Sequence, residues 1–458
     1  MFLVFGVIFL ILLGAAIYFS GVKEWLFQEK THVRGSKFLT EDHGKEGRIS
    51  IAGTVIPDEI LALHFIIAGG TGSGKSQALQ EAIQGIRDDL EYGGRAIFTD
   101  SGGELMSRFY REGDMVLNPF DARSVNWNPF SEIRNTRVDF DRLAISVVPE
   151  GGSGTEKEWS FYARNFLSDI LQTLFQSGVR DPREAMRIAT AAPREELKTF
   201  LVGTSSETLS DLSNDKFLGS IRGVLSNYVR PWRFLSNNGD FSMREWVRSG
   251  EGAIWLTYRD DMMTAYRPLL ATLLDIAITE VLSCDPSPTE IQHWLCFDEL
   301  DSLGMIQNLP DLLTRGRKYG VSAFSAIQSI AQLEKTNGRE RAQILLQCFS
   351  SSLTLLQPDP QDADYWSRRI GEVEQIHAEH GENEGSSGKT GEALRHQNSG
   401  SSTSYRRATE RLVLASELQL LPKLAGVLKL AGEDGVRVVK VPFQAIDRVA
   451  EPFIERED

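Results

Sequence analysis

The sequence predicts an α/β fold with a mostly parallel β-sheet, an inserted all-α domain and an N-terminal transmembrane helix. Short apolar runs alternate with helical patterns along most of the chain, which is typical of a parallel sheet covered on both faces. A long stretch near the middle has only helical patterns, and the chain opens with an uncharged apolar run. The predicted strands are residues 64–68, 95–99, 253–258, 293–297, 321–327 and 352–357.

Residues 2–20 carry no charge and match the length of about 20 residues that a helix needs to cross a bilayer. Basic residues follow directly, and positive charge stays on the cytoplasmic side of a membrane. The pattern predicts a single-pass anchor within residues 1–22, with the body of the protein in the cytoplasm. The alternatives are a buried core helix and a cleaved signal peptide, although the basic segment that opens a signal peptide is missing. The basic residues after the run are Lys23, Lys30, Arg34 and Lys37.

Composition excludes several classes of protein. Lys and Arg number 49 and Asp and Glu 63, so the net charge is −14, which excludes a chain that coats nucleic acid with its whole surface but allows a local basic channel. The hydrophobic fraction of 41% over 458 residues excludes wholesale disorder. Cys284, Cys296 and Cys348 lie far apart, which excludes a disulfide scaffold and a cysteine-rich zinc site.

The sharpest motif is GGTGSGKS at residues 69–76, which follows an apolar strand and precedes a helical pattern. It matches G-x-x-x-x-G-K-[ST], in which glycines let backbone N–H groups face a nucleotide β-phosphate. Lys75 is predicted to neutralise the β and γ oxygens, and the Ser76 hydroxyl to ligate Mg²⁺. The alternative is a glycine-rich turn with a chance lysine. The predicted nucleotide-binding residues are Gly69, Gly70, Thr71, Gly72, Ser73, Gly74, Lys75, Ser76 and Gln77.

A second motif, WLCFDE at residues 294–299, describes a buried strand that ends in two carboxylates. Asp298 is predicted to hold Mg²⁺ through water, and Glu299 to orient and deprotonate the attacking water. An acid suited to activating water favours hydrolysis over phosphoryl transfer to a second substrate. The alternative is a strand that happens to end in a helix-capping acidic pair.

The interval between Lys75 and Asp298 is far longer than a strand-helix-strand unit needs, and the helical stretch lies inside it. The sequence therefore predicts a nucleotide-binding domain in two parts, residues 23–138 and 241–458. The all-α domain, residues 139–240, is inserted between them and lies at an edge of the nucleotide core.

Two segments of the second part differ from the strand-helix alternation. Residues from about 379 to 404 are rich in Gly, Ser, Glu and Asn and have hardly any aliphatic side chain, which predicts a mobile loop. Strand patterns at 427–430 and 436–441 flank a short turn and predict a hairpin near the C-terminus.

Gln328 ends a predicted strand, where its amide could sense the γ-phosphate. The basic run RGRK at 315–318 ends a helix, from which an arginine could reach the nucleotide of a neighbouring subunit. Gln328 could instead cap its strand, and the basic run could complement the helix dipole. Arginines near aromatic residues also suggest a surface for single-stranded nucleic acid, with a solvated face as the alternative. These are Arg222, Arg230 and Arg233, close to Trp232, and Arg406, Arg407 and Arg411.

Taken together, these motifs resemble the coupling proteins of conjugative type IV secretion systems, the TrwB/TraD-like group. The phosphate loop alone is common to many NTPases, whereas its combination with an anchor, a helical insertion and several short segments is much more specific. These segments are NPF at 118–120, WNPF at 127–130, EW at 158–159, DE at 298–299, GRK at 316–318 and IQS at 327–329.

The resemblance implies a RecA-like P-loop NTPase core in a hexameric ring, anchored in the bacterial inner membrane and moving DNA through a central channel. It implies ATP and Mg²⁺ as ligands, with single-stranded DNA, relaxase or relaxosome proteins and type IV secretion channel components as partners. Arg317 is then the candidate arginine finger. Many family members have two transmembrane helices, whereas this sequence predicts one. The implied catalytic residues are Lys75, Asp298, Glu299, Arg317 and Gln328.

Two other functions stay open at this point. A translocase of double-stranded DNA of the FtsK/HerA kind would share the core, but it would carry a DNA-reading winged-helix tail, which is not evident after Pro442. A docking receptor would recruit the relaxase complex and use ATP only for assembly. ATP turnover that DNA stimulates separates a motor from such a receptor.

Overall fold

The computed structural model describes most of the chain after the predicted membrane anchor. Residues 1–22, which carry that prediction, lie outside the described ranges. Among the described residues no helix combines the length and the apolar character that crossing a bilayer requires. The described ranges are 32–39, 47–134, 136–151, 154–211, 215–287, 290–386 and 397–456.

The strands build one large sheet and two small ones. In chain order they are β1 His32–Gly35, β2 Lys37–Phe38, β3 Ile49–Ile51, β4 Thr54–Ile56, β5 Phe65–Ala68, β6 Arg95–Ser101, β7 Met115–Val116, β8 Gly252–Tyr258, β9 His293–Phe297, β10 Val321–Ile327, β11 Ser351–Thr354, β12 Glu372–Ser386, β13 Gln397–Arg411, β14 Ala425–Lys429 and β15 Gly435–Lys440. The large sheet has ten strands in the order β2-β15-β14-β11-β5-β10-β9-β6-β8-β7.

Every neighbouring pair from β11 to β7 in the large sheet is parallel. At the other end, β14 pairs antiparallel with both β11 and β15. The predicted α/β fold with a mostly parallel central sheet is therefore confirmed.

Helices pack on both faces of this sheet. Along β5, Ile66 and Ala68 point into a cluster with the long helix after β8, whereas Phe65 and Ile67 pack with the helix after the phosphate loop. Strands that are buried on both faces read as continuous apolar runs, which explains the sequence pattern. The described helices are α1 Asp58–Leu61, α2 Lys75–Asp89, α3 Glu104–Phe109, α4 Arg137–Val147, α5 Thr155–Gln176, α6 Pro182–Thr190, α7 Arg194–Phe200, α8 Asp215–Val229, α9 Met243–Ser249, α10 Met263–Val281, α11 Leu309–Arg315, α12 Ile330–Asn337, α13 Arg339–Cys348, α14 Pro360–Ile370 and α15 Ala415–Gln419.

The described residues between β7 and β8 contain helices α4 to α9 and no strand. The chain enters and leaves this region side by side, because Trp127 and Phe241 form an isolated β-bridge. A cluster of buried charged residues is close to this bridge. Glu132 accepts hydrogen bonds from the ring N–H of Trp127 and from the backbone N–H of Arg244. The guanidinium of Arg244 donates to Asp139. These contacts join the start and the end of the helical region.

A three-stranded sheet contains β1, β12 and β13, and β12 and β13 pair antiparallel along their whole length. The predicted mobile loop at about 379–404 is therefore wrong for residues 379–386 and 397–404, while residues 387–396 lie outside the described ranges. Antiparallel pairing satisfies backbone N–H and C=O groups within the ribbon, so a strand forms there without aliphatic side chains. The pair β14–β15 occupies the position where the sequence suggests a hairpin.

Candidate active site

The site lies at the edge of the large sheet that is formed by the carboxyl ends of its parallel strands. The neighbouring strands β5, β10, β9 and β6 all end at this edge. The phosphate loop follows β5, Gln328 follows β10 and Asp298 follows β9. Ligands of open parallel sheets bind outside the carboxyl ends of the strands. Residues from three distant parts of the sequence thus meet where a ligand is expected.

The loop between β5 and α2 has the sharp bends that cradling a phosphate requires. Gly72 and Gly74 have φ angles of 72° and 115°, which residues with a Cβ atom rarely adopt. A Cβ on Gly74 would also lie 2.7 Å from a methyl carbon of Leu424. Ser76 is exposed in the first turn of α2, where unpaired N–H groups and the helix dipole favour an anion.

Lys75 lies among three carboxylates. Its Nζ donates to the carbonyl oxygens of Gly69 at 2.7 Å and Gly70 at 3.2 Å. Burial lowers the pKa of Lys75, and the negative charges of Glu299, Asp301 and Asp298 act in the opposite direction. The predicted lysine and the predicted acidic pair are therefore in one electrostatic cluster.

The acidic pair has pKa values close to neutrality. Burial raises the pKa of Asp298 to about 6. Burial, followed by the charges of Asp298 and Asp301, raises the pKa of Glu299 to about 7. A general base works best when its pKa lies near the working pH, so this pKa would suit the predicted role of Glu299 as the base. The charge of a bound divalent cation would favour the ionised forms.

Gln328 reaches the phosphate loop from the next strand. Its Nε2 donates to Thr71 Oγ1, across 257 positions of sequence. The sequence predicted Gln328 to be an amide at a strand end that could sense the γ-phosphate or could merely cap its strand. The contact with Thr71 places its amide at the loop.

Two acidic residues of this edge were missed by the sequence reasoning. Asp301 accepts the backbone N–H groups of Gln328 and Ser329, each at 3.1 Å. Asp100, near the end of β6, is fully buried, and burial raises its pKa well above the usual range. The available signals were that Asp301 follows Asp298 by three positions and that Asp100 ends an apolar run.

Arg317 does not lie near the phosphate loop, the acidic pair or Gln328. It lies in a 3₁₀ turn, Gly316–Tyr319, just before β10, and therefore at the opposite edge of the sheet. The seven residues of β10 span roughly 20 Å, at about 3.3 Å per residue. Arg315 and Arg317 are both exposed.

The arginines considered for nucleic-acid binding lie in different surroundings. Arg222 donates to the carbonyl oxygen of Ala192, and Arg411 pairs with Glu372. The guanidinium of Arg233 stacks on Phe234 with 4.6 Å to the ring centroid. Arg406 and Arg407 are exposed on β13, and Arg230 is exposed beside Trp232, which is buried. Arg233 also lines a cavity of about 610 Å³, whose other charged residues are Arg183, Glu455 and Arg456.

Within the described ranges no cluster of three or more His, Cys, Asp or Glu side chains could hold a metal ion alone. A site that shares its metal with a nucleotide needs fewer protein ligands, because phosphate oxygens and water complete the coordination of Mg²⁺. The exposed hydroxyl of Ser76 and the carboxylate of Asp298 fit that arrangement, since both are hard oxygen ligands at the loop.

Comparison with known proteins gives a consistent result. The family model described as the type IV secretion-system coupling protein DNA-binding domain matches residues 48–443. Coupling protein TraD of Escherichia coli (strain K12) is 26% identical over 450 residues, which are 94% of this chain and 61% of TraD. Type IV secretion system-coupling protein VirD4 of Bartonella quintana (strain Toulouse) is 21% identical over 68% of this chain and 53% of VirD4. The chain thus spans about three fifths of TraD and about half of VirD4.

A solved structure is also similar over most of its length. The bacterial conjugative coupling protein TrwBdeltaN70, in its unbound monoclinic form, superposes with a TM-score of 0.81 at 31% identity. The match covers 93% of this chain and 97% of that one. TrwB has also been solved with the non-hydrolysable ATP analogue ADPNP and with ADP and Mg²⁺.

Proposed function

Because the chain belongs to the family of type IV secretion-system coupling proteins, we propose that it is a membrane-anchored ATPase of bacterial conjugation. In this proposal a hexameric ring of RecA-like cores couples the relaxase–DNA complex to a type IV secretion channel. ATP hydrolysis then drives the transfer of single-stranded DNA. Support comes from the family match over residues 48–443 and from the nucleotide complexes of TrwB.

One observation carries the proposed ATPase activity: the phosphate loop, the acidic pair and Gln328 converge at one edge of the sheet. Lys75 binds the β and γ oxygens of ATP. Ser76, directly, and Asp298, through water, would hold Mg²⁺, which would supply positive charge beside the phosphates. Glu299 accepts a proton from the attacking water. Gln328 contacts the γ-phosphate region from the tip of β10.

The proposed ring gives Arg317 a role that it could not have within its own subunit. Arg317 lies roughly 20 Å along β10 from the loop of its own subunit, so it cannot reach that nucleotide. An exposed arginine at the opposite edge is suited to reach the nucleotide of a neighbouring subunit in a ring. There it would stabilise charge on the γ-phosphoryl group in the transition state.

We expect single-stranded DNA to stimulate ATP hydrolysis by the full chain, and we expect this stimulation to fade as salt rises. Each phosphate contact releases condensed counterions, so the logarithm of affinity falls by about 0.7 per contact for each tenfold increase in salt. The measurement is ATP turnover with and without single-stranded DNA across a salt series. Turnover that only double-stranded DNA stimulates would favour a translocase of the FtsK/HerA kind. Turnover that no DNA changes would favour a docking receptor.

The proposed anchor, residues 2–20, keeps the protein in the inner membrane, next to the secretion channel and within reach of relaxosome proteins. A chain that begins at Thr31 should stay folded and leave the membrane fraction, because it keeps every strand of the described sheets. The measurement is membrane flotation together with circular dichroism, with the full chain as the control. A shortened chain that still floats with vesicles free of partner proteins would contradict the anchor.

A further inference from the structure

Asp301 has a position that the proposed roles of the acidic pair do not explain. It lies in the 3₁₀ turn Leu300–Ser302, immediately after the acidic pair, and it is only 1% exposed. One carboxylate oxygen, Oδ2, accepts the backbone N–H groups of Gln328 and Ser329, both at 3.1 Å. The other oxygen, Oδ1, is buried without a hydrogen-bond partner among the described residues.

The two N–H groups belong to the point where β10 stops. The strand ends at Ile327, so the N–H groups of Gln328 and Ser329 lie beyond the ladder of the sheet and need another acceptor. Asp301 provides it. The carboxylate thereby sets the position from which the Gln328 side chain reaches Thr71 in the phosphate loop.

The same carboxylate also acts on the phosphate loop directly. Burial lowers the pKa of Lys75, and the negative charge of Asp301 is one of the charges that act in the opposite direction. Burying a carboxylate with one unpaired oxygen is unfavourable unless nearby groups stabilise the charge. Here the stabilising groups are the two N–H groups at the end of β10 and the ammonium of Lys75, so Asp301 links the strand tip to the loop.

We propose that Asp301 is a positioning residue that holds Gln328 where its amide distinguishes a bound nucleoside triphosphate from a diphosphate. Asp301 acts through Gln328 and does not touch the reacting atoms. The inference rests on the proposed function, because it assigns the γ-phosphate contact to Gln328.

The test is a double-mutant cycle on the full chain with Asp301→Ala, Gln328→Ala and the double variant. For each protein the affinities for Mg-ADP and for a non-hydrolysable ATP analogue are measured. The affinity for the analogue divided by the affinity for Mg-ADP is the ratio that reports discrimination. We expect each single variant to lower the ratio about tenfold, the loss typical of one charge-assisted hydrogen bond. The double variant should lower it no further, because Asp301 acts through the side chain that Gln328→Ala removes.

Two further variants separate positioning from general stability. Asp301→Asn keeps an oxygen that accepts both N–H groups, so it should keep the ratio within about threefold of the parent. Asp362 is the matched control, since it is another buried carboxylate. It accepts a hydrogen bond at 3.3 Å from the backbone N–H of Ile330, which lies two residues after Gln328. Asp362→Ala should leave the ratio unchanged, even if its melting temperature falls.

Three results would overturn the inference. They are a parental ratio in Asp301→Ala, losses that add in the double variant, and a folded Asp301→Asn that discriminates as poorly as Gln328→Ala. The last result decides the question even if Asp301→Ala does not fold. Because the ratio needs only binding, a chain that binds both nucleotides but never hydrolyses ATP would refute the proposed function and leave this test valid.

Discussion

Replacing Glu299 with glutamine is expected to lower kcat for ATP hydrolysis by about 10²- to 10⁴-fold while Mg-ATP still binds. The amide cannot accept the proton of the attacking water, yet it keeps the size and most contacts of the carboxylate. Burial and Asp298 raise the pKa of Glu299 to about 7, which suits a base that works near neutral pH. The measurements are steady-state turnover and the affinity for a fluorescent ATP analogue.

Lys75→Ala is the comparison that separates a loss of nucleotide binding from a loss of catalysis alone. Lys75 would contact the phosphates before and during the reaction, so its loss should weaken binding as well as turnover. Glu112, which is exposed in the turn before β7, is the matched control, and Glu112→Gln should behave like the parent. Parental turnover in Glu299→Gln would remove Glu299 from the role of base.

Replacing Arg317 with alanine is expected to lower ATP turnover by about 10³- to 10⁵-fold, the usual contribution of an arginine finger. Arg317→Lys should fail as well, because an ammonium lacks the planar, two-pronged geometry of a guanidinium. Arg317 lies at the far edge of the sheet from its own phosphate loop, so the contact that this substitution would remove is one with the nucleotide of a neighbouring subunit in the proposed ring.

Mixing two inactive proteins tests that assignment. Rings that contain both Arg317→Ala and Lys75→Ala subunits have some interfaces with an intact loop on one side and an intact arginine on the other. Partial activity should return only under conditions in which rings form. Arg315→Ala is the control and should retain most activity, since Arg315 is also exposed but ends the preceding helix. Mixed rings that stay inactive would mean that Arg317 acts within its own subunit or only structurally.

Much of the site could be predicted because its parts are contiguous in sequence. The bend of the phosphate loop depends on glycines within residues 69–76, and two of them do adopt positive φ angles. The acidic pair was recognisable because a fully apolar strand, His293–Phe297, runs directly into it. In both cases the chemistry needs neighbours in sequence, so composition and spacing were sufficient.

The predicted loop at about 379–404 is the case in which composition was misleading. Few aliphatic side chains mean that a segment cannot build a core, but they do not prevent backbone pairing with a neighbouring strand. Residues 379–386 of β12 pair with residues 397–404 of β13, whereas β1, more than 300 positions away, pairs only with residues 373–375. Composition reports whether a segment can build a core and carries no information about this backbone pairing.

By itself, the sequence determined most strands of the large sheet, the helical stretch inserted between them and the local chemistry of the phosphate loop, because burial patterns and turn residues act over a few positions. Only the tertiary structure decided which strand tips become neighbours. The order of β5, β10 and β9 brings Gln328 to Thr71 and places Asp301 beneath the end of β10, while the same strand carries Arg317 to the opposite edge. The physical reason is that sheet order is set by hydrogen bonding and packing between segments far apart in the chain, whereas side-chain periodicity reports only whether each segment is buried.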